Sequence, residues 1–371
     1  MNMPAASHDV RPVRWAPYME WAKKRPAVTY DLAGSNLLGC TVDDLPGCRD
    51  VVELGGLSPD GYAPLLDAIA ARYGVTAAQV APASGAGGAS FLAMAALVRP
   101  GDEVLIERPA YDPMLGALHV LDACVRRFDR TFENGWAVDA DHVCATITDA
   151  TRLIVLTSPH NPSGVLATTE ALHQIGGAAA RVGAHVLVDE VYLDAVYATT
   201  KHPPAATLGD VFISINSLTK AYGLSGLRAG WILASPVVAE AVRRTRDVME
   251  GIGAFPAERL AWYAFRHMDR LAARARALLE PNLRTLADFI EARPDLGWVR
   301  PVGGNVAFPV VRGLADTRDF AEQLQRERDT AVVPGYFFDS PAHIRVAFGC
   351  AADTLQRGLE RLGAALDALH A

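Results

Sequence analysis

The chain has 371 residues, 50% of them hydrophobic and 21% charged, a balance that builds compact cores and excludes a disordered or fibrous protein. Its 35 Lys and Arg against 42 Asp and Glu give a net charge of −7, and no basic run exceeds Lys23, Lys24 and Arg25, which argues against a nucleic-acid partner. Apolar runs are broken well short of the roughly 20 residues that cross a bilayer, and no apolar signal core opens the sequence, so a cytoplasmic protein without membrane contact is expected.

The length exceeds one ordinary core, so two domains are expected. In chain order, apolar spacing predicts a helix over 63–73, then a run of small residues, 83–89, leading into an apolar helix over 90–98. A strand follows at 103–107, a strand at 153–157, a helix over 170–182 and strands at 185–189 and 212–216. Short apolar runs without strict alternation, separated by helices, imply a mainly parallel sheet covered on both faces, hence a three-layer α/β/α domain placed at 45–250. After Pro236 the pattern turns helical over 237–287. Strands follow around Trp298, at 306–311 and at 344–348, and a helix runs from 354 onward. Residues 251–371, completed by 1–44, are read as a smaller α+β domain.

Ligands of such sheets sit beyond the carboxyl ends of the strands. Asn161, Asp189 and Lys220 each follow a predicted strand. A lysine is nucleophilic where burial and nearby cations disfavour its ammonium form, and Arg228 supplies such a cation eight residues on. Arg228 and Ser217 also have the donors to hold a phosphate. Ser84, Gly85 and Ala86, at a helix entry, offer backbone N–H groups and a positive dipole end to the same anion. The cysteines Cys40, Cys48, Cys124, Cys144 and Cys350 contain no CxxC pair and the histidines show no metal-ligand spacing, so neither a disulfide framework nor a metal site is expected.

The segment from Ser217 to Gly230, Ser-Leu-Thr-Lys-Ala-Tyr-Gly-Leu-Ser-Gly-Leu-Arg-Ala-Gly, closely resembles the lysine motif of the class I/II aminotransferases, enzymes of fold type I that depend on pyridoxal 5'-phosphate (PLP). The runs Ser158-Pro159-His160-Asn161-Pro162 and Val186-Leu187-Val188-Asp189-Glu190 match further motifs in the family's order, and the likeness extends from about 58 to 348. The resemblance implies that Lys220 carries PLP as a Schiff base and shuttles the substrate proton. It implies that Asp189 pairs with the pyridine nitrogen, that Asn161 and Tyr192 bind the ring 3'-oxygen, and that Tyr111 stacks on the ring. Ser84, Gly85, Ala86, Ser217 and Arg228 would hold the phosphate, and Arg345, Asn161 and Gly34 the amino-acid substrate.

Taking Gly61 as the glycine that opens the family's first large helix, Leu57 stands where relatives have a Tyr reaching the phosphate of a second subunit. Tyr62 is the candidate substitute. A homodimer acting on small molecules, an L-amino acid and a 2-oxo acid, is expected. The alternative is a lyase or cyclase working by β/γ-elimination on an amino acid such as an arginine derivative. No residue is assignable to a side-chain carboxylate of the substrate.

Overall fold

The computed structural model describes residues 15–197 and 202–369. Its centre is a seven-stranded sheet in the order Val80–Ser84, Ala229–Leu233, Phe212–Ser217, His185–Asp189, Thr151–Thr157, Glu103–Arg108, Cys124–Asp129. Six strands run in one direction, while Ala229–Leu233 is antiparallel to both of its neighbours. The inner strands read as unbroken apolar runs because both of their faces are covered. Ile106, Val155 and Leu187 join one core with Leu92, Met114 and Val242, whereas Leu105, Ile154 and Val186 join the opposite core with Leu172 and Ile175. Neighbours in sequence thus point to opposite faces, the period of two inherent in a strand.

Helices Gly85–Leu97, Asp112–Val120 and Pro236–Met249 lie on the first face, and Ala140–Thr146 and Thr169–Arg181 on the second. The N-terminal segment, with helix Pro17–Lys24, returns through Tyr30–Asp31 to pair with Thr330–Ala331. Strand Ile344–Ala347 is flanked by Val306–Ala307 and Val333–Pro334, both antiparallel to it. Helices Met268–Glu291 and Ala352–Ala368 close this part through a core that includes Leu279, Leu286, Leu355 and Leu362.

Several sequence expectations are corrected here. The helix expected from 90 begins at Gly85, so the small-residue run forms its first turns instead of a preceding loop. Glycine's poor helix propensity is overridden by close approach to the sheet: a Cβ on Gly230 would sit 2.5 Å from the Gly85 carbonyl carbon. The run 306–311 divides at Phe308-Pro309, since Val306–Ala307 pairs with 346–347 and Val310–Val311 with 296–297. Strands Val80–Ser84, Cys124–Asp129 and Ala229–Leu233 went unread, one interrupted by Pro82 and one, at the sheet edge, by Arg126 and Arg127.

Candidate active site

The strand ends deliver the chemistry to one cavity of about 520 Å³, walled by Asn161, Asp189, Tyr192, Ser217, Lys220 and Arg228, with Ala86, Tyr111 and Asn36. Asp189 ends its strand and Ser217 the next one. Arg228 immediately precedes the antiparallel strand Ala229–Leu233, with a left-handed backbone (φ 49°) that aims it back over the sheet edge. Ser84, Gly85, Gly34 and Arg345 are not among its lining residues; Gly85 and Arg345 are buried, while Ser84 and Gly34 are exposed.

The Lys220 Nζ donates to Ser35 Oγ (2.8 Å) and Asn36 Oδ1 (2.9 Å). Desolvation, helped by the Arg345 and Arg228 charges and opposed by Asp189, brings its pKa down from 10.5 to about 7. Burial acts on Asp189 in the other sense, lifting its carboxyl from 3.8 to about 7 against a hydrogen bond from the Val191 N–H (3.1 Å) and the Lys220 charge. Burial likewise raises the Tyr192 and Tyr111 phenols.

Arg228 donates only to carbonyls, Ser84 O (3.3 Å) and Ser225 O (3.4 Å), and among the described residues it has no carboxylate partner. Gly85 (φ 71°) lies directly beneath it: a Cβ there would meet the Arg228 guanidinium at 2.3 Å. Arg345 is fully buried on strand Ile344–Ala347, donating to Asn161 Oδ1 (3.0 Å), Tyr18 Oη (2.6 Å) and Ala33 O (3.1 Å). Its Nε is buried without a partner, as are Tyr192 Oη and Thr219 Oγ1.

The donor set fits PLP. An uncompensated guanidinium beside a glycine that leaves room for it suits a phosphate. A buried carboxyl suits a protonated ring nitrogen, and the orphaned Tyr192 hydroxyl suits a ring oxygen. Lys220 supplies the amine, and the arrangement as a whole can bind an amino acid by its carboxylate and move a proton at its Cα.

Two expectations are refined. Gly34 is exposed, and a Cβ on it would meet nothing within 4 Å; its neighbours Ser35 and Asn36 make the contacts. Tyr62 lies among Phe255 and Trp262, with its N–H donated to Glu258 (2.8 Å), and does not line the cavity of its own chain. Sequence reasoning missed Ser35, Asn36 and Tyr18. The polar Gly-Ser-Asn run between Leu32 and Leu37 was the available signal for the first two. Tyr18, ninety-odd residues from Tyr111 and over three hundred from Arg345, gave none.

The profile of the family described as Aminotransferase class I and II matches residues 54–362. Capreomycidine synthase of Streptomyces vinaceus is 32% identical to the chain over 279 residues, 74% of this chain and 71% of that protein. An aspartate aminotransferase of Streptomyces avermitilis is 27% identical, with 82% and 80% covered. The solved structure of a PLP-dependent aminotransferase from Streptococcus suis superposes with a TM-score of 0.90 at 28% identity, covering 97% of this chain and 99% of that one.

Proposed function

We propose, from the premise that this chain belongs to the class I and II aminotransferases and is a PLP-dependent transferase, that it moves an amino group between an L-amino acid and a 2-oxo acid. The observation that carries the reading is the meeting of Lys220, Asp189 and Asn161 in one cavity, with the buried Arg345 bonded to Asn161 Oδ1 behind it.

When bound, PLP supplies an electron sink that acidifies the substrate Cα–H bond. In this reading Arg228, Ser217 and the N–H groups of Ser84, Gly85 and Ala86 hold its phosphate. Asp189 would keep the ring nitrogen protonated, Asn161 and Tyr192 would bind the ring oxygen, and Tyr111 would pack on the ring. Arg345, held by Asn161 and Tyr18, takes the α-carboxylate and so fixes which face of Cα is presented. The Lys220 amine, its pKa brought down to about 7, would accept the Cα proton and hold it for return.

The second reading, elimination or cyclisation on an amino acid, is favoured by the likeness to a solved PLP-dependent cyclase, 26% identical with a TM-score of 0.87. A spectrum of the PLP-loaded protein, recorded with single amino acids and no oxo acid, separates the two. Amino transfer gives the pyridoxamine form, reversed by a 2-oxo acid; a spectrum that returns to its start while ammonia, water or another leaving group appears assigns the second. Lys220→Ala is expected to lose both the cofactor band and turnover, and normal turnover in it defeats either reading.

A homodimer is part of the proposal. Leu54, Leu57, Val248 and Ile252 are exposed on two segments that adjoin, because Phe255 fills the space over Gly56 and Arg259 donates to Val51 O (3.0 Å). Exposed apolar side chains on two adjoining segments suit a second copy of the chain. Residues 45–250 are read as the cofactor-binding domain, and 1–44 with 251–371 as the small one, supported by the pairing of Tyr30–Asp31 with Thr330–Ala331. A cytoplasmic location is supported by the five free cysteines.

A further inference from the structure

Loop 33–36 touches two cations, Lys220 in the cavity wall and the buried Arg345 behind it. The Ala33 carbonyl accepts from Arg345 Nη2 (3.1 Å), while Ser35 Oγ and Asn36 Oδ1 accept from Lys220 Nζ (2.8 and 2.9 Å). The loop is fastened at each end. Leu32 and Leu37 are buried in the core, the Leu32 carbonyl accepts from the Ala347 N–H (2.7 Å), and the Leu38 N–H donates to Gly349 O (2.6 Å). These last two bonds tie it to the strand that carries Arg345 and to its continuation. Ser35 is 8% exposed, so its hydroxyl has little water to turn to, and Asn36 faces the cavity itself.

We propose that Ser35 and Asn36 form the seat of the Lys220 amine whenever that amine is not bonded to the cofactor. The inference rests on the reading that Lys220 carries PLP. A neutral primary amine has two N–H donors and one lone pair. Two acceptors take both N–H groups and leave the lone pair as the remaining tetrahedral direction, open to the cavity. When the amine gains a proton, the third N–H occupies that same direction and the first two bonds persist. The seat therefore serves both protonation states without rotation about Cε–Nζ, and a proton can be taken up and given back from one fixed position. Because the same loop holds Arg345 through Ala33, it also fixes the distance between the carboxylate clamp and the amine. Ser35 and Asn36 are positioning residues in this scheme.

The test uses the cofactor-free protein and the rate at which it captures PLP as a function of pH. Only the neutral amine attacks the aldehyde carbon, forming the N–C bond with loss of water, so the midpoint of the rate profile reports the Lys220 pKa. Ser35→Ala and Asn36→Leu each remove an acceptor that stabilises the ammonium, and should lower the midpoint by roughly half to one pH unit. Asn36→Asp places a carboxylate against it and should raise the midpoint by about one unit. Ser35→Thr keeps the hydroxyl and the parent midpoint. Shifts of opposite sign at Asn36 support the seat, since a folding defect has no means of producing them. Unchanged midpoints, or shifts of one sign in both Asn36 variants, overturn it. Lys220→Ala is the control for the parent reading: capture at the wild-type rate in that variant refutes Lys220 as the carrier, a result distinct from failure of the seat.

Discussion

With 5% exposure and one hydrogen bond from the Val191 N–H, the Asp189 carboxyl titrates at about 7 in the folded chain without cofactor, against 3.8 as the ordinary value. The folded state therefore binds more protons than the unfolded state across that interval. The contribution to stability is complete below pH 3.8 and is lost as pH rises through 7, a total of about 4 kcal/mol by pH 8. Asp189→Asn removes the titration. Without PLP the variant should melt above the parent at pH 8, with the gap narrowing toward pH 5; a gap that does not change with pH would refute the assignment of burial as the cause. With PLP present the order should invert, because the ring nitrogen loses its counter-charge. Lys220 has the opposite slope, its depressed pKa making stability rise with pH between about 7 and 10.5. At Arg345, substitution by Lys keeps a charge but loses the fork that bonds Asn161 and Tyr18. An approximately 100-fold fall in kcat/KM for every amino acid is expected, equivalent to about 2.7 kcal/mol, with esters lacking the carboxylate spared. Equal losses for acids and esters would remove Arg345 from substrate binding.

Among the elements, the start of helix Gly85–Leu97 and the ends of the parallel strands are where sequence and function meet. Gly85→Ala would force a Cβ into the Arg228 guanidinium and a side chain onto φ 71°. Its expected effect is at least a tenfold weaker hold on PLP, measured by equilibrium dialysis, with little change in the far-ultraviolet helix signal. The strand ends are bound together by a buried pair that no motif announced: Arg130 Nη1 donates to Glu107 Oε2 (2.9 Å), and Glu107 Oε1 accepts from the Thr157 N–H (2.7 Å). Arg130 also reaches the carbonyls of Trp136 (2.7 Å) and Thr157 (3.1 Å). Together these hold the segment that leads to Asn161. Glu107→Ala leaves the Arg130 charge buried and uncompensated, and a loss of about 3–5 kcal/mol in urea denaturation is expected. A loss under about 1 kcal/mol would mean that solvent reaches the guanidinium. Helix Ala63–Tyr73 and strand His185–Asp189 match their sequence reading in full, because their apolar spacing and their limits at Gly74 and the Asp189 carboxylate are local. The split at Phe308-Pro309 was not legible, since each half takes its pairing from a different distant strand.

For the whole molecule, the exposed side chains of Leu57 (87%) and Val248 (90%) argue for a paired state. If the proposed dimer forms through this face, the parent should sediment as a dimer and a Leu57→Glu, Val248→Glu double variant as a monomer. An unchanged sedimentation coefficient would remove this face from the interface. No helix among the described residues is long and apolar enough to cross a membrane. By itself the sequence determined the α/β class and, through its resemblance to the class I/II aminotransferases, the PLP cofactor, and it singled out Lys220, Asp189, Asn161 and Arg228 as candidates, because the motifs that contain them are local patterns. Only the tertiary structure decided which groups face them. Ser35 and Asn36 reach Lys220 across 185 and 184 residues of chain, and Tyr18 reaches Arg345 across 327. Such contacts depend on how the N-terminal segment folds back over the sheet, a matter of long-range packing that carries no periodicity in the chain.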